Sequence, residues 1–229
     1  MSETTAKIAE TFISYQGEGP YLGMRQLFIR FFGCSLNCTY CDTKIDSYEN
    51  PTKEELLKRA LEYTEPYSSL SITGGEPLLQ SKFLKEFIPM YKDAVQKSIY
   101  LESNGVLCDD LKSVIAMVDT VAMDMKLPSS TRRREFWSEH EEFLKIARRK
   151  EVFVKAVITG ETLIEDVLRA GDIIKNIDRK ILFVLQPVDP KNDTKEVKEK
   201  TLINFKDQLN KKLEDVRIIP QWHKTAGVR

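Results

Sequence analysis

Short runs of β-branched and aromatic residues alternate with helix-patterned stretches along almost the whole chain, and that alternation narrows the fold more than anything else in the sequence. Residues 26–32 (QLFIRFF) read as a strand ending at Gly33. Residues 52–63 read as a helix: Thr52 and Glu55 form a capping-box pattern after Pro51, and Leu56, Leu57, Ala60 and Leu61 share one face. Strands over 69–73, 98–102, 120–125, 152–158, 181–185 and 216–219 then alternate with helices near 81–92, 109–118, 135–149, 162–175 and 194–212. Repeated βα units imply a parallel sheet with right-handed crossovers. A doubly wound sheet and a full or partial (β/α) barrel satisfy the pattern equally well. Neither a repeat nor a Pro/Gly/Ser-rich linker divides the 229 residues, so the chain reads as a single domain, 1–229.

In parallel α/β folds ligands collect at the carboxyl ends of strands. The unusual sequences of this chain fall there. The loop GCSLNCTYCDT follows the first strand, TGGEP (73–77) the next, ESNG (102–105) the next, MDMK (123–126) another and QPVDP (186–190) a later one. Five such segments at equivalent positions point to one site.

Three of the four cysteines, Cys34, Cys38 and Cys41, lie in that first loop, whereas a secreted disulfide scaffold would spread an even number along the chain. Crowded thiolates need a cation, and soft thiolates choose zinc, copper(I) or iron–sulfur clusters. Structural zinc wants four ligands. The loop supplies three and no His, and completing the set would take Cys108, His140 or His223 from a distance. A cluster held by three Cys leaves one iron open to a non-protein ligand.

The other motifs carry weaker signals. Gly74 and Gly75 let backbone approach a ligand, and Glu76 beside them offers an acceptor for an ammonium, though a tight turn explains the pair as well. Asn104–Gly105 is a turn in isolation. Lys126 suits a carboxylate or ribose, or is solvated, and Asp42–Thr43 supplies hard oxygen donors suited to Mg²⁺, or an ordinary loop hydroxyl. Upstream of the first convincing strand, TFISYQGEGPY is dense in glycine yet carries Gln16 and Glu18, as a turn or as a clamp for a polar heterocycle beside the site. Arg30 sits in an otherwise apolar strand, where a cation needs either a protein carboxylate or an anionic ligand. Lys and Arg balance Asp and Glu at 35 each, which argues against bulk binding of nucleic acid or anionic lipid, so the basic tracts 132–134 and 148–150 read as solvated faces. No apolar run reaches the ~20 residues that span a bilayer, and the N-terminus lacks a secretion pattern, so a soluble, cytoplasmic protein is expected.

Cys34, Cys38 and Cys41 in the C-x-x-x-C-x-x-C arrangement, with Tyr40 before the last of them, Asp42–Thr43 after it and TGGEP beyond, resemble the radical S-adenosylmethionine (SAM) superfamily. The upstream YQGEGPYLGMRQLFIRFFGC and the C-terminal PQWHK are similar to the 7-carboxy-7-deazaguanine synthases, over most of the chain from about residue 8. The resemblance implies a partial (β/α) barrel of the radical SAM type, reduced in size, acting as a homodimeric lyase. It implies conversion of 6-carboxy-5,6,7,8-tetrahydropterin to 7-carboxy-7-deazaguanine and ammonia, a precursor of queuosine or archaeosine, with SAM regenerated. Its implied cofactors are a [4Fe-4S] cluster on the three Cys, SAM and Mg²⁺. Its implied partners are the small pterin and an electron donor such as flavodoxin or ferredoxin, with no direct contact to nucleic acid. By the same resemblance, Tyr15, Gln16, Gly17, Arg30, Thr73 and His223 would meet the substrate. Tyr40, Gly75, Glu76, Asp124, Met125, Lys126 and Gln186 would meet SAM, and Thr43 would bind Mg²⁺. A glycyl-radical activating enzyme, which shares the Cys spacing, and a zinc-stabilised binding module are the alternatives.

Overall fold

The computed structural model of the chain describes residues 4–41, 45–189 and 195–222. Its eight strands form one sheet in strictly sequential order: β1 (Ile8–Tyr15), β2 (Arg25–Phe31), β3 (Ser69–Gly74), β4 (Ser98–Ser103), β5 (Thr120–Asp124), β6 (Glu151–Ile158), β7 (Phe183–Pro187) and β8 (Val216–Ile218). From β2 to β8 every pairing is parallel, and β1 alone runs antiparallel, against β2. Helices α1 (Lys53–Leu61), α2 (Ser81–Val95), α3 (Cys108–Val114), α4 (Pro128–Thr131), α5 (Trp137–Ala147), α6 (Ile164–Asp178) and α7 (Glu199–Asn210) fill the connections. The end strands β1 and β8 do not pair, so the sheet curls without closing, as a partial barrel.

Three elements differ from the sequence reading. IAETFISY is a full strand; its Glu10 and Thr11 interrupt an apolar pattern because one edge of β1 is free and its polar side chains stay half-exposed. The stretch 135–149 holds one helix, α5, from Trp137, and an unexpected short helix, α4, precedes it and ends at Arg132 in the left-handed conformation. The last helix starts at Glu199, within the expected span 194–212. The capping box on α1 is present, with Thr52 Oγ1 accepting from the Glu55 N–H and the Glu55 carboxylate accepting from the Thr52 N–H.

The helices cover one face of the sheet and bury the main core against it, with Leu27, Ile29, Phe31, Leu70, Ile72, Ile99 and Val154 from the strands meeting Phe83, Leu84, Phe87, Tyr91, Phe143 and Leu144 from the helices. On the inner face a small second cluster, Tyr100, Ala122, Phe153 and Val184, fills the barrel's lower end, and Tyr21 lies edge-on to Tyr100 at 5.6 Å. Above that plug the interior is an open cleft. Among the described residues no helix is long and apolar enough to cross a membrane.

Candidate active site

The cleft has a volume of about 1090 Å³ and lies on the inner face at the carboxyl ends of the parallel strands, the position expected of an α/β ligand site. Cys34, Cys38 and Cys41 all line it, and none of the three is in a disulfide. Their loop is held from both sides. Thr39 donates its N–H to the Thr131 carbonyl and its hydroxyl to the Ser130 carbonyl, and Arg133 Nε donates to the Asn37 carbonyl.

On the other side, the Gly75 N–H bonds the Phe31 carbonyl at 3.1 Å and the Glu76 N–H bonds the Gly33 carbonyl at 2.8 Å. A Cβ on Gly74 would sit 2.2 Å from the Phe31 carbonyl oxygen, and one on Gly75 2.2 Å from that of Gly33. The glycine pair therefore admits the root of the cysteine loop, and the close approach anticipated for a ligand is one of backbone to backbone. Glu76 is fully buried beneath this turn. Its carboxylate accepts from the Leu78 and Asn104 N–H groups and the Ser103 hydroxyl, and burial raises its pKa to about 7. Its side chain faces the protein, so the expected contact of the Glu76 carboxylate with SAM is not what the structure places in the cleft; Gly75 lines it instead.

Met125 is a second correction. It is fully buried in the helix-side core, because the strand alternation that turns Asp124 inward turns its neighbour outward. Asp124 and Lys126 face each other across 2.8 Å, and the Lys126 ammonium stands 5.3 Å from the Tyr40 ring centre. Burial works against both charges. The Lys126 and Lys155 ammoniums outweigh it and hold Asp124 below its usual pKa, and Asp124 in turn keeps Lys126 charged. A solvated lysine is thereby excluded.

The QGEG segment sits elsewhere than beside the mouth. Because β1 is antiparallel, Tyr15 pairs with Arg25 at the start of β2, and residues 16–18 leave from the end opposite the cysteine loop. They run across the inside of the open barrel. Gln16 Nε2 donates to Gln26 Oε1 at 3.1 Å and to Glu102 Oε1 at 3.0 Å, while the Thr73 hydroxyl holds the other Glu102 oxygen at 2.7 Å. Glu18 takes Gln186 Nε2 at 3.1 Å and Gln221 Nε2 at 2.8 Å, and its second oxygen pairs with Lys155. The Trp222 N–H bonds the Gly17 carbonyl at 2.9 Å. Loop hydrogen bonds thus bridge the gap that β1 and β8 leave. Gly19 is required there by a φ of +66° and by the Phe153 ring, 2.7 Å from where a Cβ would lie.

Arg30 has a protein carboxylate as its partner, one of the two its position allows. Its Nε donates to Glu10 at 2.6 Å, and its guanidinium lies 5.6 Å from the Phe12 ring along the cleft wall, where Phe12 and Phe28 stack at 5.2 Å. Tyr15, Gln16, Gly17, Thr73 and Gln186 also line the cleft. Thr43 and His223 lie outside the described residues. Sequence reasoning passed over Lys155, and it placed Glu18, Glu102 and Asn104 in motifs near the site without giving them a role; the signal for Lys155 was the one that singled out Arg30, a charge within an apolar strand. Asn104 Nδ2, Asp124 Oδ1 and Gln186 Oε1 are among the buried polar atoms of the cleft wall that have no protein partner.

The donor set suits an iron–sulfur cluster: three soft thiols on one loop at the rim. Burial pushes the Cys34 and Cys38 thiols up, and a bound cation would reverse this. Neither described candidate for a fourth zinc ligand is available. Neither lines the cleft: Cys108 Sγ is turned onto the Glu139 carbonyl at 3.3 Å, and His140 is fully buried with Nε2 against the Asn104 carbonyl.

Comparison with known proteins agrees with this chemistry. The profile of the radical SAM superfamily matches residues 28–199. A 7-carboxy-7-deazaguanine synthase of Geobacter sulfurreducens is 36% identical over 99% of both chains, and one of Archaeoglobus fulgidus is 34% identical over 98% of this chain and 99% of its own. The crystal structure of QueE from Escherichia coli superposes with a TM-score of 0.67 at 19% identity, covering 96% of this chain and 95% of that one, a likeness of fold. With cysteines, cleft and full-length similarity in agreement, this chain belongs to the 7-carboxy-7-deazaguanine synthases of the radical SAM superfamily.

Proposed function

We propose that this enzyme converts 6-carboxy-5,6,7,8-tetrahydropterin to 7-carboxy-7-deazaguanine and ammonia, with a [4Fe-4S] cluster and SAM as cofactors. The observation that carries the reading is the set of three cysteines, none in a disulfide, at the rim of a cleft whose wall holds polar atoms with no protein partner. When bound, the cluster and SAM supply the radical that takes one hydrogen from the pterin and later returns it. Cys34, Cys38 and Cys41 would hold the cluster, with one iron open to SAM. The turn at Gly74–Gly75 borders the aminoacyl end of SAM. Asp124, Lys126, Gln186 and Asn104 offer the donors and acceptors for the rest of SAM, beside the Tyr40 ring.

The pterin lies against the stacked Phe12–Phe28 wall, near Tyr15 and Thr73. Arg30 faces its carboxylate with the part of the guanidinium that Glu10 does not hold. Gln16 acts mainly by fixing Glu102, since its amide is spent on internal hydrogen bonds. Closure of the seam by residues 16–18 and 221–222 shields the interior from water, which a reactive radical requires. A glycyl-radical activating enzyme would need that same seam open to admit a protein segment. Thr43 as a Mg²⁺ ligand, His223 at the substrate, a homodimer, a cytoplasmic location and a flavodoxin- or ferredoxin-type reductant complete the proposal.

Anaerobically reconstituted enzyme given SAM, a reductant and the carboxypterin is expected to release the deazapurine acid without consuming SAM stoichiometrically. Stoichiometric loss of SAM with the pterin unchanged would contradict the reading.

A further inference from the structure

Glu102 lies near the end of β4 and lines the cleft, and no step above uses its charge. One carboxylate oxygen accepts from Gln16 Nε2 at 3.0 Å and the other from the Thr73 hydroxyl at 2.7 Å, both neutral donors. Neighbouring carboxylates of the wall have cations: Glu10 has Arg30, Glu18 has Lys155, and Asp124 has Lys126 and Lys155. Among the described residues Glu102 has no ion pair. A neutral acceptor would serve Gln16 and Thr73 as well, and a charge withdrawn from water is costly without a partner. An ionised carboxylate accepts at about four positions, and these two donors leave the others open. The sheet sets Glu102 opposite a cation. Arg30 pairs with Thr73 in the β2–β3 register, and Ile72 opposite Leu101 in the β3–β4 register carries Glu102 to the same level. A cation and an anion thus face the cleft two strands apart, about 10 Å between backbones, with the short Thr73 side chain between them.

We propose that Glu102 determines specificity for the pyrimidine edge of the pterin, accepting the N3–H and a 2-amino N–H side by side while Arg30 holds the carboxylate at the opposite end. The role rests on the functional reading above and deepens it. A 6-carboxypterin carries an anion at C6 and, across two fused rings, two parallel N–H donors, the complement of the cation and anion on the wall. Two parallel N–H groups on a carboxylate make a charge-assisted fork, stronger and more directional than a neutral contact. Gln16 and Thr73 fix the carboxylate that receives it. The pyrimidine ring keeps these donors in the deazapurine product, so the grip need not open while the other ring contracts. An oxygen in place of the 2-amino group would set acceptor against acceptor and lose one arm of the fork.

The test compares oxidised 6-carboxypterin, which has no hydrogen on C6 and so binds without turnover, with 6-carboxylumazine, which has oxygen in place of the 2-amino group. Equilibrium binding of each to the reconstituted enzyme, with SAM and without reductant, is measured for the wild type, Glu102→Gln and Glu102→Asp. The wild type is expected to prefer the pterin by about 10- to 100-fold, the scale of a hydrogen bond to a charged group. Glu102→Gln keeps the size of the side chain and can turn an amide N–H to the lumazine oxygen, so its preference should all but vanish. Glu102→Asp keeps the charge but withdraws it by one methylene, and should bind the pterin more weakly while still preferring it. SAM affinity and iron content should be unchanged in both. Equal binding of the two ligands by the wild type would overturn the proposal without recourse to a variant. A Glu102→Gln enzyme that keeps the wild-type preference would also overturn it, as would one that loses the pterin, the lumazine and SAM alike, or loss of fold in both variants. If the wild type binds neither ligand, the functional reading falls and this role with it; if it binds both equally, this role alone falls.

Discussion

The two faces of the sheet are built from the same strands and do opposite work. The outward residues of β2 to β6, among them Ile29, Phe31, Ile72, Leu101, Val121 and Ala156, are apolar and sealed beneath helices. Their inward neighbours, Arg30, Thr73, Glu102, Asp124 and Lys155, are polar or charged and line the cleft. The period-two alternation of a strand permits this division within a single eight-residue segment. Apolar side chains support one another without specific partners. The inner charges need named ones, and they find them across the barrel: Glu18 with Lys155, Lys155 and Lys126 with Asp124, Gln16 with Glu102. Stability therefore resides mainly on one face and recognition on the other, joined by a polar network that must be satisfied as a unit.

The sharpest separation comes from truncating the outer face. Phe87→Ala removes a fully buried ring stacked on Phe83 and should lower unfolding stability by about 3–5 kcal/mol in denaturant titrations. The folded fraction should keep its SAM affinity. On the inner face, Lys155→Met strips the counter-charge from buried Glu18 and Asp124 and should cost about 3 kcal/mol. Adding Glu18→Gln should restore part of that loss; strict additivity of the two substitutions would deny that they form one network.

Acid should probe the junction of the two faces. Burial lowers the His140 pKa from 6.5 to about 4, and Asp124, Lys126 and Glu139 are the charged groups acting on it. Between those values the unfolded chain binds a proton that the folded chain refuses, so the contribution of this group to stability falls as pH drops. The His140 share of that loss is about 2 kcal/mol from pH 6.5 to 5; Glu76, whose carboxyl is raised to about 7, gains a similar amount over the same interval, so the share is read as the difference between the wild type and a His140 variant. His140→Gln should remove that share, and an unchanged pH profile would assign the acid sensitivity to other groups. At the small end, Arg132→Gln breaks an exposed pair with Glu161 on neither face and should change stability by less than about 1 kcal/mol.

The outer face was largely legible in the sequence. Runs such as LFIRFF and SIYLES announce buried strands, the βα alternation orders them, and the capping residues Thr52 and Glu55 mark the start of α1. The cysteine loop and the strand-end motifs also declared themselves, because in parallel folds position along the chain fixes position at the mouth. The inner face was harder to read. Glu102 and Lys155 become site residues only through partners some 30 to 140 residues away, Thr73 and Glu18, and no local pattern encodes those pairings. Glu76 and Met125 were misassigned for the same reason: their neighbourhood in sequence pointed to the cleft, and the burial and facing of their side chains sent them elsewhere. The strand β1 was hidden because an edge strand tolerates polar side chains on both sides.

The claim beneath all of this is that Cys34, Cys38 and Cys41 carry a cluster with one iron open to SAM. Anaerobic reconstitution with iron and sulfide, followed by reduction and EPR with and without SAM, tests it most directly. The account predicts a brown protein whose reduced-cluster signal shifts when SAM is added. A colourless protein holding one zinc per chain, or a cluster signal indifferent to SAM, would contradict it.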